Sequence, residues 1–287
     1  MTPEERDDIE GRSTRLRWLE LQRRPVNGSF DAAHLREINR RLFQDLPRIP
    51  GFEHVTPGEY RPPVPNGLDW QKNRTLSTIT GSFYVAYSRM DEAARARLDQ
   101  VLEDTEPETL RSLNTADFTQ RLGQLYAELD HVHPFQDGNS RTLRAFTGQL
   151  ARRAGYEIDW EHFSVSQAGR DLLYIARDLS VNEIALPHLQ NPRTVMRIIG
   201  TRDRLQGYRA LPDLLRDAVR PSRAIAFEKL SEADALAQHP ELASVYRTMH
   251  AALAHFASKL PGDREGQKAG VQAALAHLQT RLNAGDI

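Results

Sequence analysis

Apolar residues recur at helical spacing over most of this chain. From Ser29 onward, Leu35, Ile38, Leu42, Phe43 and Leu46 fall at three- and four-residue steps and stop before Pro47, which predicts an amphipathic helix. Phe118 to Leu129 repeats the pattern with Leu122, Leu125, Tyr126 and Leu129. Ser140 to Ala154 repeats it with Leu143, Phe146 and Leu150 and meets Gly155, a residue type enriched just past helix ends. Further helical patterns run through Leu172 to Ile184. Toward the C-terminus, His239-Pro240-Glu241-Leu242 opens a helix with Val245, Tyr246, Met249, Leu253 and Phe256 on one side. Pro240 suits its first turn. A last helix carries Val271, Leu275, Leu278 and Leu282 and ends at Gly285. Thr75 to Tyr87 is different: rich in β-branched and aromatic residues, it follows a Pro- and Gly-containing stretch opened by Gly58-Glu59-Tyr60-Arg61 and reads as extended.

Between two of these helices lies the run His133-Pro134-Phe135-Gln136-Asp137-Gly138-Asn139-Ser140-Arg141-Thr142-Leu143-Arg144. Gly138 supplies a turn or a close backbone approach, and Asn139 tolerates the same conformations. A helix opening directly after such a turn presents free N–H groups and the positive end of its dipole, a site for an anion. Arg141 and Arg144 lie three apart on one face near that start, where the dipole disfavours cations by only about 0.3–1 kcal/mol each and an anion would remove the penalty. Taken alone, both arginines could be solvated or paired with local acids such as Asp137. His133 offers a base suited to neutral pH. Asp137 could hold a hard cation through its carboxylate or cap the following helix. Phe135 has no evident chemistry and is expected to anchor the loop to the core. Neither a cysteine nor a His-Glu-x-x-His arrangement supports zinc.

The twelve residues resemble the signature of the Fic (filamentation induced by cAMP) family, His-x-Phe-x-Asp/Glu-Gly-Asn-x-Arg-x-x-Arg, at every fixed position. The resemblance extends more weakly from about Val26 to Phe163. It implies a mainly α fold, a Fic-type helical bundle with a small β-hairpin flap. Residues 1–205 are then the Fic domain with an N-terminal helical segment, and 206–287 a helical C-terminal extension. It also implies a protein adenylyltransferase using ATP and Mg²⁺: His133 as catalytic base, Asp137 as the metal ligand, Gly138, Asn139 and Ser140 cradling phosphate, and Arg141 and Arg144 on the outer phosphates. Ser140 replaces the glycine common at its position. The flap would lie in Thr75 to Tyr87 and pair with an extended segment of a target protein. Phosphoryl transfer as in the related Doc toxins is the alternative reaction. Those proteins carry a lysine in the turn and lack the second arginine, so Ser140 and Arg144 speak for AMP transfer. A non-catalytic binding module would be expected to lose His133 or a phosphate ligand, and none is lost.

Composition adds limits. The 38 basic and 39 acidic residues nearly cancel, so no global field draws the chain to nucleic acid or membrane. Zero cysteines fit a reducing cytoplasm. Met1 to Arg17 is heavily charged without the apolar core of a secretory signal, and no run of 18 apolar residues occurs. Arg193 to Arg223 holds 8 Arg against 3 Asp, read as a solvated helix surface rather than a docking site for an acidic partner.

Restraint of the family's activity is associated with Ser/Thr-x-x-x-Glu-Gly/Asn, a helix whose glutamate pairs with the second motif arginine. No window meets it: Glu10-Gly11 follows Arg6 and Glu265-Gly266 follows Pro261 where Ser or Thr belongs. The chain thus resembles a toxin whose inhibitory helix comes from a separate small antitoxin, with inhibition in cis by Glu10 as the other arrangement.

Overall fold

The computed structural model describes residues 2–103 and 105–286. In chain order the elements are α1 (Pro3–Arg23), α2 (Ala32–Phe43), β1 (Trp70–Arg74), β2 (Phe83–Tyr87), α3 (Glu92–Glu103), α4 (Pro107–Arg111), α5 (Thr115–Val132), α6 (Asn139–Arg153), β3 (Tyr156–Ile158), α7 (Gln167–Ala185), α8 (Pro192–Arg204), α9 (Leu211–Leu215), β4 (Val219–Pro221), α10 (Ser222–Lys229), α11 (Glu232–Gln238), α12 (Ala243–Lys259) and α13 (Arg264–Ala284). The fold is mainly α with two small antiparallel sheets, β1–β2 and β3–β4, as the apolar periodicity predicts.

α5 is the axle. Its inward stripe, Phe118, Leu122, Leu125, Tyr126 and Leu129, is buried, and α3, α6, α7 and α9 pack around it. Its start is capped by Asn114, whose side chain accepts from the Asp117 N–H at 2.9 Å. α2 buries Leu35, Ile38, Leu42 and Phe43 and lies against α6, while α1 lies against α2. These helices share one continuous core.

The hairpin is asymmetric. Register runs from Trp70 opposite Tyr87 to Arg74 opposite Phe83. β2 is apolar throughout because both its faces are covered: Phe83 packs with Ile175 and Leu205, and Ala86 with Ala185 and Ile198. Its outer edge is sealed by side chains, since Thr201 Oγ1 accepts from the Tyr84 N–H (2.9 Å) and Asn182 bridges Ala86 N–H (3.1 Å) and Tyr84 C=O (2.9 Å). The outer edge of β1, on the polar sequence Trp-Gln-Lys-Asn-Arg, has no strand beside it. The extended region read from sequence at Thr75 to Tyr87 therefore covers the loop and β2. β1 lies before it and lacks the apolar signal, since it is the strand facing the open side.

Leu211, Leu214, Leu215 and Val219 sit in the main core, and β4 pairs with β3. A second, smaller core begins at Ala224 and draws on Ala235, Leu242, Val245, Tyr246, Leu278 and Leu282. No helix of the described residues is long and apolar enough to cross a membrane.

Candidate active site

The motif joins the C-terminus of α5 to the N-terminus of α6. At the end of α5 the last carbonyls have no intrahelical donors. Here the carbonyls at and just past the end find donors: Ser88 N–H donates to His131 C=O (2.8 Å), Ser88 Oγ to Val132 C=O (2.7 Å), Arg61 Nε to His133 C=O (2.7 Å) and Arg61 N–H to Pro134 C=O (2.9 Å). Arg61 is buried to 1 % exposure, with its guanidinium 3.6 Å from the Trp70 ring centroid. A cation at a helix C-terminus is favoured by the dipole. Arg61 thus ties the segment before the hairpin to the loop that carries the motif.

His133 ends α5 in the left-handed region at φ 49°, unusual for a non-glycine residue. The turn folds its ring under the hairpin. Tyr87 stacks on it at 3.8 Å and Trp70 meets it edge-on at 6.0 Å. Nε2 lies 3.0 Å from Lys72 Nζ on β1, and Nδ1 lies 3.5 Å from Asp130 Oδ1. Burial pushes the imidazole down to about 4, against the pull of Asp130, so it is neutral and basic at pH 7. His131 is also buried and pushed down to about 4 by burial, with His188 the nearest ring at 6.2 Å. No cluster of three metal-capable His, Asp or Glu side chains occurs among the described residues.

Gly138 takes φ 76° as the cap of α6. A Cβ there would lie 2.0 Å from Phe43 Cζ, so both conformation and space demand glycine. Asn139 is 3 % exposed and its side chain is spent on the loop: Oδ1 accepts from Phe135 N–H (3.0 Å) and Nδ2 donates to Phe135 C=O (2.6 Å). Its side chain therefore shapes the turn, and only its backbone N–H is left for a ligand. Phe135 is buried as expected of an anchor. The N–H groups of Asn139, Ser140 and Arg141 open α6 and have no intrahelical acceptor. Ser140 Oγ accepts from Arg177 Nη1 on α7 at 3.1 Å.

Asp137 is half-buried, and His54 Nε2 lies 3.9 Å from its carboxylate. Arg141 pairs with Glu10 of α1. Arg144 lies 5.8 Å over the Trp160 ring, and no carboxylate among the described residues pairs with it. Both arginines line a cavity of ≈ 750 Å³ between α1, α6 and the segment around Trp160. Arg6, where the restraining motif has Ser or Thr, lies over Phe52 at 5.1 Å and reaches His54 at 2.9 Å, which seats α1.

All seven sequence-selected residues, His133, Asp137, Gly138, Asn139, Ser140, Arg141 and Arg144, thus lie on one loop and the start of one helix. Lys72, Asp130 and Arg177 also belong to the site and were missed. Asp130 stands three residues before His133, a spacing that does place two residues on one helix face. Lys72 and Arg177 carry no local signal.

A family model described as Fic/DOC family matches residues 29–151 of the chain. It is 32% identical over 155 residues to protein adenylyltransferase VbhT of Bartonella schoenbuchensis, covering 53% of this chain and 27% of that protein. It is 28% identical over 144 residues to a protein adenylyltransferase of Bartonella henselae, covering 50% of this chain and 25% of that one. The chain thus spans about a quarter of the length of these two relatives. The N-terminal Fic domain of a VirB-translocated Bep effector protein from Bartonella quintana superposes with a TM-score of 0.51 at 21% identity, over 79% of this chain and 88% of that one, which shows a shared fold.

Proposed function

We propose that this Fic-domain chain is a protein adenylyltransferase, moving AMP from ATP to a Ser, Thr or Tyr hydroxyl of another protein. The observation that carries the reading is the junction of α5 and α6: a neutral imidazole whose Nε2 meets a donor, set beside a turn with three unclaimed N–H groups and two arginines. The names of the matched relatives support the same activity. The hydroxyl oxygen attacks the α-phosphorus, its proton passes to His133 Nε2, and the bond from the α-phosphorus to the bridging oxygen breaks. Pyrophosphate leaves and AMP stays on the target. The N–H groups of Asn139, Ser140 and Arg141 hold phosphate, and Arg141 and Arg144 bind the outer phosphates.

Asp137 suits Mg²⁺, since its carboxylate is half-exposed and has no short ion pair, and Mg²⁺ in nucleotide sites takes one or two carboxylates with phosphate and water. Mg²⁺ would offset the charge of the phosphates and the leaving pyrophosphate. The target strand adds to the outer edge of β1, because that of β2 is already occupied by Thr201 and Asn182. Reaching Nε2 requires the target hydroxyl to displace Lys72 Nζ.

Restraint in cis is favoured by the ion pair of Glu10 with Arg141, although the sequence pattern pointed to an inhibitory helix from a separate antitoxin. Glu10 competes with phosphate for Arg141. The Fic unit extends through Pro221 on the strength of the shared core, and the extension begins at Ser222. A toxin or effector acting in a cytoplasm is the biological setting that fits modification of a host protein.

The decisive experiment incubates the purified protein with a bacterial lysate and ATP labelled at either the α or the γ position. Label from α alone supports AMP transfer. Label from γ alone reassigns the chain to phosphoryl transfer of the Doc kind.

A further inference from the structure

We infer that Asp130 is a positioning residue for His133, fixing the ring proton on Nδ1 so that Nε2 is the free base. The inference rests on the adenylyltransferase reading for its catalytic consequence, but its geometry stands apart from it. Asp130 and His133 are both buried, at 0 % and 4 % exposure. Asp130 Oδ2 accepts twice from Arg177, from Nη2 at 2.7 Å and Nε at 3.1 Å. That leaves Oδ1 with no other partner, facing an Nδ1 that also has none, at 3.5 Å. Two buried polar atoms without other partners thus face each other at 3.5 Å, within reach of a hydrogen bond on a small adjustment of the ring.

The other side of the ring supplies the direction. Lys72 Nζ, as an ammonium, can only donate, so Nε2 at 3.0 Å must be the nitrogen with the lone pair. A neutral imidazole carries one proton, which then sits on Nδ1 toward Asp130. Arg177 keeps Asp130 ionised, holding its carboxyl below the usual range despite complete burial. The same Arg177 donates to Ser140 in the phosphate turn at 3.1 Å. Base, carboxylate, arginine and turn thus form one chain of polar contacts from α5 through α7 to α6. When Nε2 accepts the hydroxyl proton, the imidazolium gains an adjacent carboxylate. This is the role of the aspartate in a hydrolase triad, reached here on an unrelated helical scaffold.

The ring is faced by Asp130 from α5, Lys72 from β1, Tyr87 from β2, Arg61 from the preceding segment and, behind Asp130, Arg177 from α7. Only Asp130 offers an acceptor to Nδ1. Nitrogen-15 NMR of the wild-type protein without nucleotide should therefore show His133 protonated on Nδ1. Lys72→Met should keep that tautomer, because Asp130 remains. Adding Asp130→Asn to Lys72→Met should lose it, because neither partner then fixes the ring, and Asp130→Asn alone should lower kcat for AMP transfer on the order of 10²-fold with the KM for ATP little changed and move the acid limb of the kcat profile to lower pH. Because Asp130→Asn leaves Arg177 buried without its partner, Asp130→Asn/Arg177→Met removes both charges and should show the same shift of the acid limb. A wild-type His133 protonated on Nε2, a Lys72→Met/Asp130→Asn protein that keeps the Nδ1 proton, or an Asp130→Asn protein with the wild-type acid limb overturns the inference. So does loss of the Nδ1 proton in Lys72→Met. If the wild-type protein transfers no AMP, the functional reading fails while the spectra still decide the positioning role.

Discussion

The two halves of the motif are built to opposite specifications. On the base side the groups are packed and held: the α5 carbonyls by Ser88 and Arg61, and the His133 ring between Tyr87, Lys72 and Asp130. On the anion side, a few residues later, the first N–H groups of α6 have no intrahelical acceptor, Arg144 meets no carboxylate among the described residues, and a cavity of ≈ 750 Å³ opens beside it. Pairing fixes geometry at the cost of access, and unpaired donors keep affinity for a ligand still to come. A base must be oriented to within a fraction of an ångström before it is useful, whereas a polyphosphate brings its own charge and can organise its ligands on arrival. Glu10 qualifies the contrast, lending Arg141 on the anion side a carboxylate from α1.

The strongest break of this contrast lies on the base side. His133→Ala should lower AMP transfer by at least about 10²-fold while ATP binding, measured by calorimetry, is largely kept. An equal loss of ATP affinity would show that the two halves are not separable.

On the anion side the most severe change is Gly138→Ala. The added methyl meets a positive φ and the Phe43 ring together, and destabilisation of about 3 kcal/mol is expected in urea unfolding. A variant as stable as the wild type would mean that the turn adapts freely.

Glu10→Gly sharpens the comparison from the other direction. Removing the internal carboxylate frees Arg141, so kcat/KM for ATP should rise about tenfold, within the usual range of coupling between sites. An unchanged rate would return the restraint to a partner protein. Growth arrest on expressing Glu10→Gly but not the wild type is the cellular counterpart.

The smallest effect is on stability and pH. Burial holds His131 and His133 down to about 4, below the 6.5 of an unfolded imidazole, so the unfolded chain binds more protons between those values. Stability from these histidines is complete above about pH 6.5 and is lost as pH falls toward 4. The urea midpoint should be lower at pH 5 than at pH 7.5, and His131→Gln should flatten the difference.

Periodicity located the helices that matter, α2, α5, α6 and the C-terminal pair, because each buries one stripe against a common core and the stripe is written at three- and four-residue steps. It failed at β1, whose polar Trp70–Arg74 gains strand structure only by pairing with β2. The boundary read at residue 206 shows the same limit. Leu211 to Val219 enter the main core through α9 and β4, elements of five and three residues too short to show a period.

What the sequence determined by itself is local: the turn at Gly138, the helix that follows it, and the seven residues of one contiguous run whose chemistry is a property of their order. What tertiary structure decided is who faces that run. Lys72, Arg177 and Glu10 come from 61, 47 and 131 positions away from the residues they contact, His133, Asp130 and Arg141. No spacing rule reaches across such separations. They meet because α1, the hairpin and α7 must each bury an apolar face on or beside the α5–α6 core, and that burial carries their polar residues to the site.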